Sequence, residues 1–194
     1  MIWLIPLNIT WVLLSIPLIT AIPATAGLFF ATNQLAHKGS ANWRTLFLGF
    51  RQYFWVSWRW GIIAMLGYGL LVLNAWFYQH WESNLAIWLQ GILVTITLLW
   101  TILQLYAMPL LIEQREPNLR LALKNAWILT IYSTVQSGKL LLLTLVIGVG
   151  STIWMPAAWV FISASLIAYA ANRETVRVIR ALHSEEKEAS IHDH

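Results

Sequence analysis

The sequence predicts an all-α, polytopic helical membrane protein with about four to six transmembrane helices and two amphipathic interfacial helices. Three observations predict it. Hydrophobic residues make up 59% of the chain and charged residues 10%, against about 45–50% and about 25% in soluble domains. Four apolar regions, at residues 2–36, 61–78, 85–108 and 140–171, reach or approach the roughly 20 residues that a span needs. All twelve Lys and Arg fall outside those regions.

The first region, Ile2 to Ala36, would be about 50 Å long as one helix at 1.5 Å per residue, too long for a hydrocarbon core of about 30 Å. Pro17 and Pro23 flank Leu18–Ile22, and each proline removes a helical hydrogen bond. The expectation is a break here, giving either a hairpin of two short helices or one span continued by a surface helix. Ile2 to Ile16 carries no charge, and no Lys or Arg precedes it. It therefore reads as retained membrane structure, not a cleaved signal.

The second and third regions, Gly61–Tyr78 and Leu85–Met108, are separated by the short polar run Gln79–Asn84, which makes them antiparallel neighbours. The fourth, Leu140–Ala171, is interrupted by Gly148, Gly150 and Pro156. It is expected to split into helices over about 140–153 and 157–172, with an uncharged tip at Ser151 and Thr152. Residues 1–172 thus form one membrane domain, and 173–194 a cytoplasmic tail expected to be partly disordered.

Two stretches are amphipathic. In residues 42–58, Trp43, Phe47, Phe50, Phe54 and Trp58 share one helical face, while Arg44, Arg51, Gln52 and Arg59 fall on another. In residues 118–131 the apolar set is Leu119, Ala122, Leu123, Ala126 and Trp127, opposed by Arg120, Lys124 and Asn125, which is the spacing of an amphipathic helix. Both open on an Asn, a good N-cap, and both precede a span. The pattern is a weak internal repeat of surface helix followed by span. Arg44, Arg51, Arg59, Arg120 and Lys124 are the expected contacts to anionic lipid headgroups. The Trp and Phe interleaved with these arginines, and the spans beside them, point to a lipid surface and away from nucleic acid. The thirteen Trp suit the headgroup level as well.

The cations fall in three groups of four: Lys38 to Arg59, Arg115 to Lys139 and Arg173 to Lys187. The connections 79–84 and 151–152 hold none. The positive-inside rule therefore places all three groups, and the C-terminus, in the cytoplasm.

There is no Cys, which excludes disulfides, thiolate metal sites and Cys nucleophiles. The acids Glu82, Glu113, Glu116, Glu174, Glu185, Glu186, Glu188 and Asp193 all lie outside the apolar regions. A proton relay or ion path usually places an ionisable group at membrane depth, so a pump or ion-coupled transporter is not expected. Nor is an enzyme, and no cofactor or metal is expected. His37 and His80 sit at the ends of spans. His183, His192 and His194 lie among tail acids that could hold a metal weakly, but the tail reads first as a solvated end. Asn74, Gln90 and Gln104, with Thr95 and Thr97, are polar positions inside spans. They are candidates for a small cavity or a partner helix, beside the plainer reading of hydrogen bonds within the chain. The pairs Gly27/Ala31 and Ala164/Ala168 are compatible with close helix packing.

The run Leu7-Asn8-Ile9-Thr10-Trp11 through Ile16-Pro17-Leu18 to Ile22-Pro23-Ala24-Thr25-Ala26-Gly27-Leu28 resembles the opening of the YesL-like family of bacterial integral membrane proteins, a domain of unknown function. The aromatic segment Phe50–Trp55 and the pair of stretches Tyr106–Leu111 and Leu121–Ala126 are similar to later parts of that family. The resemblance covers most of the chain. Relatives usually carry a polar leader before the first apolar helix. The resemblance implies an accessory role beside a carbohydrate ABC-type transporter and carries over no site residues. The expected function is a non-enzymatic accessory or scaffold membrane subunit. The alternative is a small transporter or channel in its own right.

Overall fold

The computed structural model describes residues 3–81 and 83–192, with the backbone alone at 183 and 185–192. The protein is all-α. Among the described residues eight α-helices follow in order: α1 (Leu4–Ser15), α2 (Leu18–Lys38), α3 (Trp43–Gln52), α4 (Phe54–Gln79), α5 (Asn84–Ile112), α6 (Leu119–Tyr132), α7 (Thr134–Ile153) and α8 (Ala164–His192). A π-helical turn, Trp159–Ser163, leads into α8. Four of these helices, α2, α4, α5 and α7, are long and apolar enough to cross a bilayer, and the chain is a helical membrane protein.

The first apolar region is a hairpin. Pro17 takes an extended conformation, φ −75° and ψ 116°, and breaks the helix. Pro23 does not: it lies inside α2 as its sixth residue, buried, and the helix runs on through it at the cost of the one bond its missing N–H would have made to the Ile19 carbonyl. α1 has 12 residues, about 18 Å, against about 32 Å for the 21 residues of α2. The Trp11 indole N–H donates to Thr25 Oγ1 across the hairpin at 3.1 Å.

Asn42 caps α3 with a full capping box: its Oδ1 accepts from the Thr45 N–H at 3.0 Å. Asn118 caps α6, accepting from the Leu121 N–H at 3.3 Å. The surface segment expected over 42–58 ends at Gln52. Tyr53 is a one-residue joint, and Phe54 to Arg59 already belong to α4. Likewise Ser133 alone separates α6 from α7, which begins at Thr134, six residues before the expected start.

α3 buries Leu46 and Gly49 against α2 and leaves Trp43 and Phe47 exposed. Its aromatic face thus points away from the bundle, as an interfacial helix in the headgroup layer requires. The approach to α2 is close enough that a Cβ on Gly27 would lie 2.6 Å from the Leu46 carbonyl oxygen and 3.0 Å from the Phe50 nitrogen. Gly27 therefore serves α2–α3 packing.

The last apolar region does split, at residues 154–156 around Pro156, and helix resumes at Ala157. Ser151 and Thr152 belong to the last turn of α7, before this bend. α8 then continues as helix to His192 and does not end near Asn172. Ala168, Ala171, Asn172, Thr175, Val176 and Val178 are buried, and α8 packs on α2, α5 and α7. Its helical period thus runs through polar residues that masked it in the sequence. The core lies where α1, α2, α5, α6 and α8 meet, around Tyr106, Met108 and Leu111.

Candidate functional site

Two polar networks lie in the interior, and a cavity open on one side adjoins them. The first network joins the ends of the chain. Asn8, fully buried, donates from Nδ2 to the carbonyls of Trp159 (2.6 Å) and Val160 (2.8 Å), and its Oδ1 accepts from the Ser165 N–H at 2.8 Å. A π turn disturbs the regular backbone ladder. One buried amide meets three backbone groups at that disturbance. Ser151 and Ser163 share a 2.6 Å hydrogen bond beside it.

The second network joins α2, α5 and α8. Asn172 Nδ2 lies within bonding distance of the Phe29 carbonyl (3.0 Å), Thr32 Oγ1 (2.9 Å) and the Ala168 carbonyl (3.0 Å). Its Oδ1 accepts from Asn33 Nδ2 at 3.3 Å. Asn33 Nδ2 also donates to Glu113 Oε1 at 2.6 Å, and His37 Nε2 lies 2.8 Å from the same oxygen. Tyr53 is buried nearby, and burial first, then the Glu113 carboxylate, raises its phenol pKa above the usual 10.

The cavity, of about 280 Å³, is bordered by α1, α2, α4, α5, α8 and the π turn. Trp11, Trp60, Tyr68 and Trp159 supply aromatic wall, and Leu28, Ala64 and Ile167 supply aliphatic wall. Gln104 borders it, 7% exposed, with neither amide atom hydrogen-bonded.

Of the three polar span positions expected to mark a cavity or partner surface, only Gln104 reaches this one. Asn74 is exposed near the far end of α4, its Nδ2 donating to the Leu70 carbonyl at 2.8 Å. Gln90 borders a surface recess beside the α4–α5 turn with Tyr78 and Trp81. Thr95 and Thr97 bond back to the Gly91 and Leu93 carbonyls. Ala164 and Ala168 border the cavity, so that small pair gives room as well as close packing.

Among the expected headgroup contacts, Arg59 and Arg120 come together, bordering one cleft with Val56, Ile62, Ile63 and Leu123. Arg44, Arg51 and Lys124 are exposed on α3 and α6. The Arg44 guanidinium lies 5.3 Å from the centre of the Trp43 ring.

Sequence reasoning missed Asn8, Asn33, Asn172 and the His37–Glu113 contact as networks. Asn8 and Asn33 are lone polar residues in apolar helices, which is a usable signal for a buried tie. Their partners lie 80 or more residues away and could not be paired from one sequence. Among the described residues no group of three or more His, Asp and Glu could hold a metal. Glu82 and the tail side chains His183, Glu185, Glu186, Lys187, Glu188, His192, Asp193 and His194 lie outside what the structure describes.

Residues 4–75 match the model of a family described as "Protein of unknown function, DUF624". No curated protein matches, and no solved structure matches. The matched segment holds α1 to most of α4, including Asn8, Trp11, Asn33 and Trp60. Their partners on α5, the π turn and α8 lie beyond it.

Proposed function

We propose that the chain is a non-enzymatic accessory subunit of the bacterial cytoplasmic membrane that docks on another membrane complex through the α4–α5 hairpin. The observation that carries this reading is how bare that hairpin is. Met65, Leu70, Leu73 and Trp76 on α4 and Ile87 and Trp88 on α5 are exposed. Lipid alone would satisfy those apolar side chains. Asn74 is different: it is exposed among them, about a turn and a half from the helix end, and Leu70 on its own helix is the partner it has. A polar amide on a lipid-level surface favours a second helix that hydrogen-bonds it.

The resemblance supplies the kind of complex, the permease of a carbohydrate ABC-type transporter. The test is crosslinking in cells, extraction in mild detergent and mass spectrometry of the captured proteins. A permease crosslinked through residues 65–90 is expected. Recovery of the chain alone at native levels would overturn the reading. The alternative, a transporter or channel in its own right, has less support because Asn74, Gln90 and Gln104 border no common cavity.

The cations support the orientation. Lys38 ends α2, Arg59 opens α4, Arg115 follows α5, Lys139 lies near the start of α7, and Arg173, Arg177 and Arg180 lie in the second part of α8. Helix directions therefore gather them at one end, which the positive-inside rule assigns to the cytoplasm. The α1–α2 hairpin aims the start of α1 toward that side, though α1 at about 18 Å stops short of it. There the Arg59–Arg120 cleft suits an anionic lipid headgroup, with Ile62 and Ile63 beside an acyl chain. A reporter fused after His194 should be active in the cytoplasm and one inserted at Ser83 inactive. The reverse pair would refute this orientation.

A further inference from the structure

The cavity between α1, α2, α4, α5 and α8 is unusual in which of its polar groups are satisfied. Trp11 Nε1 donates to Thr25 Oγ1, which itself bonds the Ala21 carbonyl. The Tyr68 hydroxyl bonds Thr101 Oγ1 at 3.2 Å, and Thr101 bonds the Thr97 carbonyl. Trp159 Nε1 donates to Thr152 Oγ1 at 3.1 Å. The two exceptions on the wall are the Gln104 amide, without a partner at either atom, and Trp60 Nε1. Buried polar groups are nearly always hydrogen-bonded, and each exception calls for an explanation. Among the described residues Ser15, Trp100, Gln114 and Thr144 hold such an atom as well, but Gln104 and Trp60 border the same space.

We propose that this cavity is a binding site for a neutral amphiphile, an uncharged, mostly apolar molecule carrying one hydroxyl or carbonyl group. Its volume of about 280 Å³ is roughly twice the ~150 Å³ cavity that takes up a benzene molecule, so about a dozen non-hydrogen atoms fill it. The lining residues carry no formal charge at neutral pH, so a charged ligand would meet no countercharge on a mostly apolar wall. The aromatic and aliphatic walls accept a hydrocarbon chain. The terminal torsion of a glutamine side chain turns broadly. The Gln104 amide can therefore face the ligand and both donate to and accept from its hydroxyl, with Trp60 Nε1 as a second donor. The site stands whether or not α4–α5 carries a partner.

The test uses the purified full chain, stripped of lipid, and n-decanol bearing a diazirine on its chain. Labelling should be saturable, competed by plain decanol, and map to peptides holding Trp11, Trp60 or Trp159. The same chain with a carboxylate head should label at least tenfold less. Gln104→Leu should weaken decanol about tenfold, the loss of one hydrogen bond. It should leave the melting temperature of the ligand-free protein unchanged or raised, because an unpartnered amide contributes nothing to the fold. Ala64→Leu, which fills the cavity with apolar volume, should abolish labelling. Saturable labelling that survives Ala64→Leu overturns the proposal, as does equal labelling by the carboxylate. Should Gln104→Leu fail to fold, the amide has a structural role and the proposal falls.

Discussion

Asn8 and Ser165 are 157 residues apart in sequence and 2.8 Å apart in space, the Asn8 side-chain Oδ1 accepting from the Ser165 backbone N–H. With its nitrogen on the Trp159 and Val160 carbonyls, this side chain is the clasp between the first hairpin and the last.

Asn8→Leu keeps the size of the side chain and leaves three backbone groups without their partner. We expect a loss of about 3 kcal/mol, read as a fall in melting temperature in detergent. Asn8→Asp should be worse. It keeps the acceptor for Ser165 but turns an oxygen toward two carbonyls. An aspartate variant as stable as wild type would show that the clasp is not formed.

At Glu113 two partners share one oxygen, and they should contribute unequally. Asn33 is buried, whereas His37 and Glu113 retain side-chain exposures of 35% and 26%. Double-mutant cycles should give a coupling of about 1–2 kcal/mol for Asn33→Ala with Glu113→Ala. For His37→Ala with Glu113→Ala the coupling should stay below about 1 kcal/mol, as for other solvent-screened pairs. Equal couplings would contradict this ranking.

Tyr53 gives an alkaline signature. Its folded pKa is raised above 10 by burial and by Glu113. The unfolded chain therefore releases this proton first as pH rises. The stability due to the neutral phenol is complete below about pH 10 and is lost from there up through the folded pKa. Tyr53→Phe cannot ionise. The stability of wild type relative to this variant should be flat from pH 7 to 9 and fall above 10, measured by thermal denaturation in parallel buffers.

Gly27→Ala tests the α2–α3 approach, because the backbone of Leu46 and Phe50 occupies the space a methyl group would need. Overpacking of this kind costs about 1–3 kcal/mol. Gly69→Ala, where nothing lies within 4 Å, is the matched control and should be neutral or slightly stabilising.

For the cleft, Arg59→Ala with Arg120→Ala should reduce co-purified phosphatidylglycerol in native mass spectra. Arg44→Ala with Arg51→Ala, on the exposed surface of α3, should do so less. Equal losses would make the cleft no better than the open surface.

Much of the scaffold was legible in the residues. Asn42 and Asn118 mark their caps, Pro17 and Pro156 mark the breaks, and the polar run at 79–84 marks a turn. Pro23 misled because tertiary packing around this buried residue outweighs the one helical bond it removes. The length of α8 was hidden because Asn172 and Thr175, polar in sequence, are core residues in the fold. Gln104 was visible as a lone amide in an apolar helix. That it alone, and neither Asn74 nor Gln90, borders the cavity depends on the rotation of α5 against α4. No single sequence carries that angle.

Tyr53 and Ser133 each join a surface helix to a span with no slack. The rotational phase of α4 is therefore locked to α3, and that of α7 to α6. One residue added at either joint would turn the following span by about 100°, and a different stripe of it would face its neighbours. The headgroup helices thus act as keys that index the spans, so the azimuth of the α4–α5 hairpin is set at the membrane surface and not at its bare tip.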